Sequence, residues 1–340
     1  MRDRLTLRLL LKRGALLAAA NWPVVAIQFV ADAAFKFLLM IPILGGTLLV
    51  VLLLGGSAPE LLNAGIRTAL SGIATALVAH PLSLTFFLLA FLIALVGGSV
   101  FMFLIKGGTV TVLAAGDRVA GGVEQGPLGV ESLRGAAAFS SDLFIAGCSR
   151  LFTRYLALGI GLMMAYAISG ALYLAIVISS YQVASRSVLL VGWTMMAAVI
   201  SSAFVVWITI VNLLYLLAQI AVAVEDLTVR AALRRVGQFL RADIREVAGM
   251  FGIVLLMVVL TTAASLLATA GVSLVAFVPI VGFAVFPLQA VAWLLRTVVF
   301  QYVGLTALGA YLRLFRAFAF ADHAGPRPVW STEAGSTRTA

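Results

Sequence analysis

Long uncharged apolar stretches alternate with short charged ones along this chain. Residues 187–224 carry no charge over 38 positions, and residues 247–295 carry none over 49. Between them lies "EDLTVRAALRRVGQFLRADIRE" (225–246), with five arginines and four carboxylates. A bilayer core of about 30 Å is crossed by about 20 apolar helical residues at about 1.5 Å each. On that measure six segments cross: 33–55, 82–106, 153–180, 189–215, 247–271 and 288–312. The pattern predicts an all-α, polytopic helical membrane protein with six transmembrane helices and amphipathic helices on its cytoplasmic face. Residues 1–318 form one integral membrane domain in this reading, and residues 319–340 a flexible cytoplasmic tail. In the longer neutral run, "VPIVGFAVFP" carries Pro279, Gly282 and Pro287, which predict the turn between spans five and six.

Composition agrees. The chain is 63% hydrophobic and 11% charged, whereas soluble domains are about half apolar and a quarter charged. That leaves too little polar sequence for a soluble domain. The net charge of +10 raises a nucleic-acid reading, which the placement of the basic residues rejects. Five precede the first span, five belong to the connection between spans two and three, five lie between spans four and five, and four follow span six. Arg67 and Arg186 fall on the opposite side, while Lys36 and Arg296 lie within or beside spans. The positive-inside rule then places both termini in the cytoplasm, and the protein in the cell inner membrane. Residues 14–31 are also apolar. They predict a partly inserted cytoplasmic-face helix that bends near Pro23 and leads into span one. A signal peptide and an additional span are the alternatives.

Short sequences recur. "LTLRLLLKR" (5–13) and "LTVRAALRR" (227–235) share five identities, with Lys12 standing where Arg234 does. "LRGAAAF" (133–139) matches "LRRVGQF" (233–239) more weakly, and Asp142 and Asp243 follow. Each copy precedes an odd-numbered span, so the expectation is a three-fold internal repeat: surface helix, span, external turn, span. The pattern "EDLTVRAALRRVGQFLRADIREVAGMFGIVLL", with "LGAYLRLFR" at 308–316, resembles a bacterial family of six-span membrane proteins of largely unknown function. That family is similar to the membrane domain fused to some glycerophosphodiester phosphodiesterases. In layout the resemblance covers most of residues 1–318. It implies architecture only and carries over no catalytic residue.

Wound as a helix, residues 228–241 place Arg230, Arg234 and Arg241 within about 40° of one another. Arg235 falls to one side, and Val229, Leu233, Val236 and Leu240 form an apolar stripe. Such a helix lies on the inner leaflet, stripe down, with arginines at anionic headgroups. Asp226 and Arg230 have the spacing of a helical pair, and Asp243 with Glu246 that of a capping box starting span five. Arg296 lies inside span six, where a charge normally meets protein, water or an anion. Arg230, Arg234, Arg241 and Arg296 are therefore the candidate headgroup or anion contacts. Asp32 and Lys36, four residues apart with the acid first, form a candidate intramembrane charge pair. Asn212, Gln219 and Gln301 are further polar residues within or beside spans, which the sequence does not place together.

Cys148 is the single cysteine, and His80 and His323 are far apart. No metal site or cofactor is expected, and no HExxH, GxSxG or phosphate-loop signature is present. The leading expectation is a non-enzymatic membrane protein that binds or handles lipid or a small solute, with anionic inner-leaflet lipids as its partners. The alternatives are a structural or regulatory subunit that recruits a partner, and an intramembrane enzyme without a recognised motif.

Overall fold

The computed structural model describes residues 6–54, 75, 79–125, 130–184, 190–276 and 279–323. Among the described residues the main helices are α1 (Leu7–Ala20), α2 (Trp22–Leu54), α3 (Pro81–Val119), α4 (Val130–Ala136), α5 (Ser141–Ala184), α6 (Leu190–Glu225), α7 (Val229–Ala242), α8 (Ile244–Ala276) and α9 (Pro279–His323). Among the described residues, six helices are long and apolar enough to cross a membrane, namely α2, α3, α5, α6, α8 and α9. The chain is therefore an all-α, multi-pass integral membrane protein. The long helices run as three hairpins, α2–α3, α5–α6 and α8–α9, each preceded by one of the short helices α1, α4 and α7. Arg67, Arg186 and residues 324–340 lie outside the described residues.

The long helices exceed what hydropathy marks out. α3 has 39 residues and α5 has 44, about 58 and 66 Å at ~1.5 Å per residue. Both outrun a ~30 Å bilayer core. Lys106, the expected end of span two, lies well inside α3. Residues 14–31 change direction near Pro23 and lead into span one, but as two helices separated at Asn21 rather than one bent helix. α1 stops at Ala20, the Asn21 N–H donates to the Leu17 carbonyl at 3.1 Å, and α2 starts at Trp22 with Pro23 in its first turn. Proline is tolerated there because first-turn N–H groups have no helical acceptor. The first apolar span accordingly starts at Trp22 rather than near residue 33. Gly282 and Pro287 likewise fall within α9, whose first residue is Pro279. α9 continues past residue 318 to His323.

The packed core sits where both ends of the described chain lie, here called the terminal face. Leu10, Leu17, Leu113, Leu151, Tyr155, Leu217, Phe239, Met250 and Phe315 are buried there. α1 is part of that core, because it crosses α9 at near-contact of backbones. A Cβ added at Gly14 would stand 2.2 Å from the Thr306 carbonyl oxygen, and one at Gly309 would stand 3.0 Å from Gly14 Cα. Small residues permit such close approach between helices in membranes. Away from the terminal face, residues such as Ile93, Ile168, Leu172, Val199 and Leu256 are exposed, a surface suited to lipid tails. Polar contacts tie α5 to α6 along this exposed length. Tyr166 donates to Asn212 at 2.5 Å, Trp207 to Ser169 at 3.0 Å and Trp193 to Ser180 at 3.1 Å, and the Tyr173 and Ser201 hydroxyls lie 2.8 Å apart.

α1 and α7 are built alike. Each has 14 residues, follows a threonine in extended conformation (Thr6, Thr228), and ends where Asn21 or Asp243 donates its N–H to the carbonyl four residues back. The apolar face of α7 differs from the expected stripe. Ala232, Val236 and Phe239 are buried, whereas Leu233 is 53% exposed. Phe239 packs on Phe315 and Phe318 of α9, with ring centroids 5.4 and 5.3 Å away. This face is covered by protein and not by the leaflet. Fully burying a phenylalanine contributes about 2 kcal/mol, which is enough to bias a helix of this length toward docking.

Candidate functional site

All six long helices border one central cavity of about 380 Å³. α2 contributes Gln28, α3 Lys106, α6 Asn212 and Gln219, and α9 Gln301 and Tyr311, while α5 and α8 supply Leu162 and Phe251. Gln28 donates to the Thr109 hydroxyl at 2.6 Å, which itself donates to the Ile105 carbonyl at 3.0 Å. The Tyr215 hydroxyl lies against the Gln219 side chain. Yet Tyr215 Oη, Tyr311 Oη and Gln219 Nε2 are buried without a hydrogen-bond partner of good geometry among the described residues. Buried polar groups are normally paired, so the Tyr311 hydroxyl, with Tyr215 and Gln219 set only loosely against each other, marks a place where a polar guest fits. Lys106 is the cation of the wall. The Asp32 carboxylate lies within its field, but Asp32 is engaged by Lys36 at 2.6 Å.

A second, apolar space continues the first. Between α6 and α8 runs a furrow of about 480 Å³, walled by side chains such as Val205, Leu255, Val258 and Leu266. It shares Thr209, Phe251 and Val254 with the central cavity. A mainly apolar chamber with a few polar groups therefore adjoins a wholly oily furrow along two spans, an arrangement that matches the two ends of an amphiphile.

A separate polar centre lies at the terminal face. Arg13 Nε donates to Asp117 Oδ1 at 2.6 Å and Nη2 to the Asp117 carbonyl at 2.8 Å. Its Nη1 donates to the Gly121 carbonyl at 2.6 Å and to Glu124 Oε2 at 2.5 Å. Arg316 takes the other oxygen of Asp117 at 2.6 Å and the Ala114 carbonyl at 2.8 Å. Burial disfavours the Arg13 charge, but the hydrogen bonds and charges of Asp117 and Glu124 outweigh it and raise its pKa above the ordinary arginine value. The hub locks α1, the end of α3 and α9 to the turn at 121–125, where Gly121 takes a positive φ of 50°.

The candidate residues from the sequence fall in three places. Arg230, Arg234 and Arg241 are exposed on α7. Asp32 and Lys36 form their ion pair on α2, with the Lys36 ammonium 5.8 Å from the centre of the Trp293 ring. Arg296 stands one turn beyond Trp293 on α9, exposed, with its guanidinium 5.6 Å from the Phe300 ring. Arg296 thus lies apart from the α7 arginines, 20 residues and about 30 Å along the helix from Arg316. Asp226 does not pair with Arg230. It leaves α6 with a φ of 52° and accepts from Arg154 at 2.6 Å, because a left-handed residue just past a helix end turns the chain away. Arg235, off the arginine face, pairs with Glu225 at 3.1 Å and covers the Phe318 ring. The Asp243 carbonyl accepts the Val247 N–H at 3.0 Å at the start of α8, and Glu246 lies in its first turn.

Sequence reasoning missed Lys106 and the hub. The hydropathy pattern ends span two at Lys106, although "GGTVTVLAAG" continues uncharged after it to Asp117, a sign that the helix does not stop. Arg13 and Asp117 are 104 residues apart, and no local pattern joins them. Comparison with protein-family models, with curated proteins and with solved structures finds no match to this chain.

Proposed function

We propose that this integral membrane protein binds an amphiphile, its polar head in the central cavity and its acyl chain along the α6–α8 furrow. The observation that supports this reading is the continuity of the two spaces through Thr209, Phe251 and Val254. Pockets of this kind are mainly apolar with a few placed polar groups. The Lys106 ammonium suits an anionic or strongly accepting headgroup, and the buried hydroxyls and amide of Tyr215, Tyr311 and Gln219 suit further hydrogen bonds. The wall offers binding groups rather than a nucleophile with an adjacent base, so the role is read as handling and not catalysis.

The terminal face is the cytoplasmic side of the inner membrane in this reading, because it carries the charged connections. There the exposed arginines of α7 meet anionic headgroups, each contributing about 1 kcal/mol. The likeness of α1 and α7, and the recurrence of a short helix before each hairpin, support a three-fold repeat and the resemblance to the six-span family.

Native mass spectrometry of the full chain released from detergent micelles tests the proposal. The expected spectrum shows one co-purifying lipid per chain. Lys106→Met, at the head, and Val258→Trp, in the furrow, each reduce its occupancy at least fivefold. A lipid-free wild-type protein, or wild-type occupancy in either variant, refutes it.

A further inference from the structure

We propose that the cleft where the ends of α3, α6 and α9 meet binds a phosphate-bearing ligand, held by Arg118 and Arg313. The cleft measures about 830 Å³ and opens on the terminal face beside the ion hub. Arg118, Arg313, Arg316, Asp117 and Glu225 line it, with Phe320 at its rim.

The charges on its wall do not balance. Asp117 has one oxygen on Arg13 and the other on Arg316. Glu124 is held by Arg13, and Glu225 by Arg235. Three carboxylates thus meet three guanidiniums, and Arg118 and Arg313 are left over with no carboxylate partner among the described residues. Arg316 lies within the fields of both, so three like charges converge on one space. Arg313 Nε is, in addition, buried with no acceptor. A buried guanidinium N–H without an acceptor is unfavourable. A ligand that brings both negative charge and acceptor oxygens relieves the two defects together.

Phosphate has that chemistry. A phosphomonoester carries about −1.5 to −2 charges at neutral pH with three strong acceptor oxygens, and arginine matches them with paired N–H donors. A carboxylate supplies only one charge against two surplus arginines. The apolar rim of Leu227 and Phe320 takes the organic part of an ester. A phosphatidic acid headgroup and a soluble phosphate share this monoester-type chemistry.

The test uses the full chain in dodecyl maltoside, titrated separately with inorganic phosphate and with dioctanoyl phosphatidic acid, bound ligand being counted by native mass spectrometry. Saturable one-to-one binding is expected in at least one arm. Binding of phosphate identifies a soluble ligand, and binding of the lipid alone identifies a headgroup. Arg118→Gln and Arg313→Gln each weaken it tenfold or more. Arg150→Gln, an exposed arginine of the same face outside the cleft, leaves it within twofold. Phe320 is 73% exposed, so Phe320→Glu places a carboxylate at the rim without disturbing packing, and it also weakens binding tenfold. This last variant decides the matter if the arginine variants do not fold. Absence of saturable binding in both arms, or wild-type affinity in Phe320→Glu, overturns the proposal. None of these residues lines the central cavity, so failure here is distinct from failure of the amphiphile reading.

Discussion

Replacing Asp117 by asparagine strikes the ion hub at its centre. In the native protein the two carboxylate oxygens each accept a guanidinium N–H at 2.6 Å, from Arg13 and Arg316. The three side chains have 1–6% of their surface exposed, so water screens the contacts little. Asparagine keeps the shape, but its amide turns a donor toward one guanidinium and leaves two buried arginines with Glu124 as the one carboxylate of the hub, beside their backbone carbonyl acceptors. Breaking a buried ion pair from one side costs about 3–5 kcal/mol. At about 2.1 cal/mol/K of unfolding entropy per residue, a 340-residue chain loses roughly 1.4 °C per kcal/mol, so the melting midpoint falls by about 4–7 °C. The chain carries its own reporter: Cys148 is the single cysteine and is buried, so a fluorogenic maleimide reads its exposure on heating. Asp117→Asn/Arg316→Gln, which also removes one of the stranded charges, is expected to lose less than the sum of the two single changes. A midpoint for Asp117→Asn within about 2 °C of wild type would refute the view that the hub holds α1, α3 and α9 together.

Three further outcomes follow from the packing and the faces. Gly14→Ala drives a Cβ to 2.2 Å from the Thr306 carbonyl oxygen and costs about 1–3 kcal/mol in the same thermal assay, whereas Gly170→Ala, with nothing within 4 Å, leaves the midpoint unchanged. Equal melting of the two glycine variants would remove the close α1–α9 crossing. Tyr166→Phe deletes the 2.5 Å contact to Asn212 and costs only about 0.6 kcal/mol, as interhelical hydrogen bonds in membranes do; a loss several times larger contradicts the role given to it. Leu233→Cys, on the exposed side of α7, reacts with an impermeant maleimide in inside-out vesicles and not in intact cells, and the reverse pattern inverts the proposed orientation.

Much of the fold is legible in residues close together in the chain. The uncharged runs at 187–224 and 247–295 have no stable home in water, so they announce membrane helices whatever surrounds them. "LTLRLLLKR" and "LTVRAALRR" announce two similar short helices, and the structure has both, each of 14 residues after its threonine. Hydropathy is blind to where such a helix goes. α1 inserts against α9 because Gly14 and Gly309 permit contact of backbones, and α7 docks through Phe239 because α9 presents Phe315 and Phe318. Arg13 and Arg235 occupy the same place in the two copies, and both turn inward to carboxylates. That direction depends on acids brought by other helices.

The candidate sites were legible only as ingredients. Asn212, Gln219 and Gln301 are visible as polar residues in oily sequence, but their meeting around Lys106 depends on how six helices converge. By itself the sequence determined the class of the protein and its charged and neutral segments, because lipid and water sort residues by local chemistry alone. The tertiary structure decided that Lys106 faces a cavity, that Asp117 joins two arginines 303 positions apart in the chain, and that Arg118 and Arg313 have no carboxylate partner among the described residues. Those outcomes depend on which helices lie side by side, and a burial or a charge pair has no energy until its neighbours are in place.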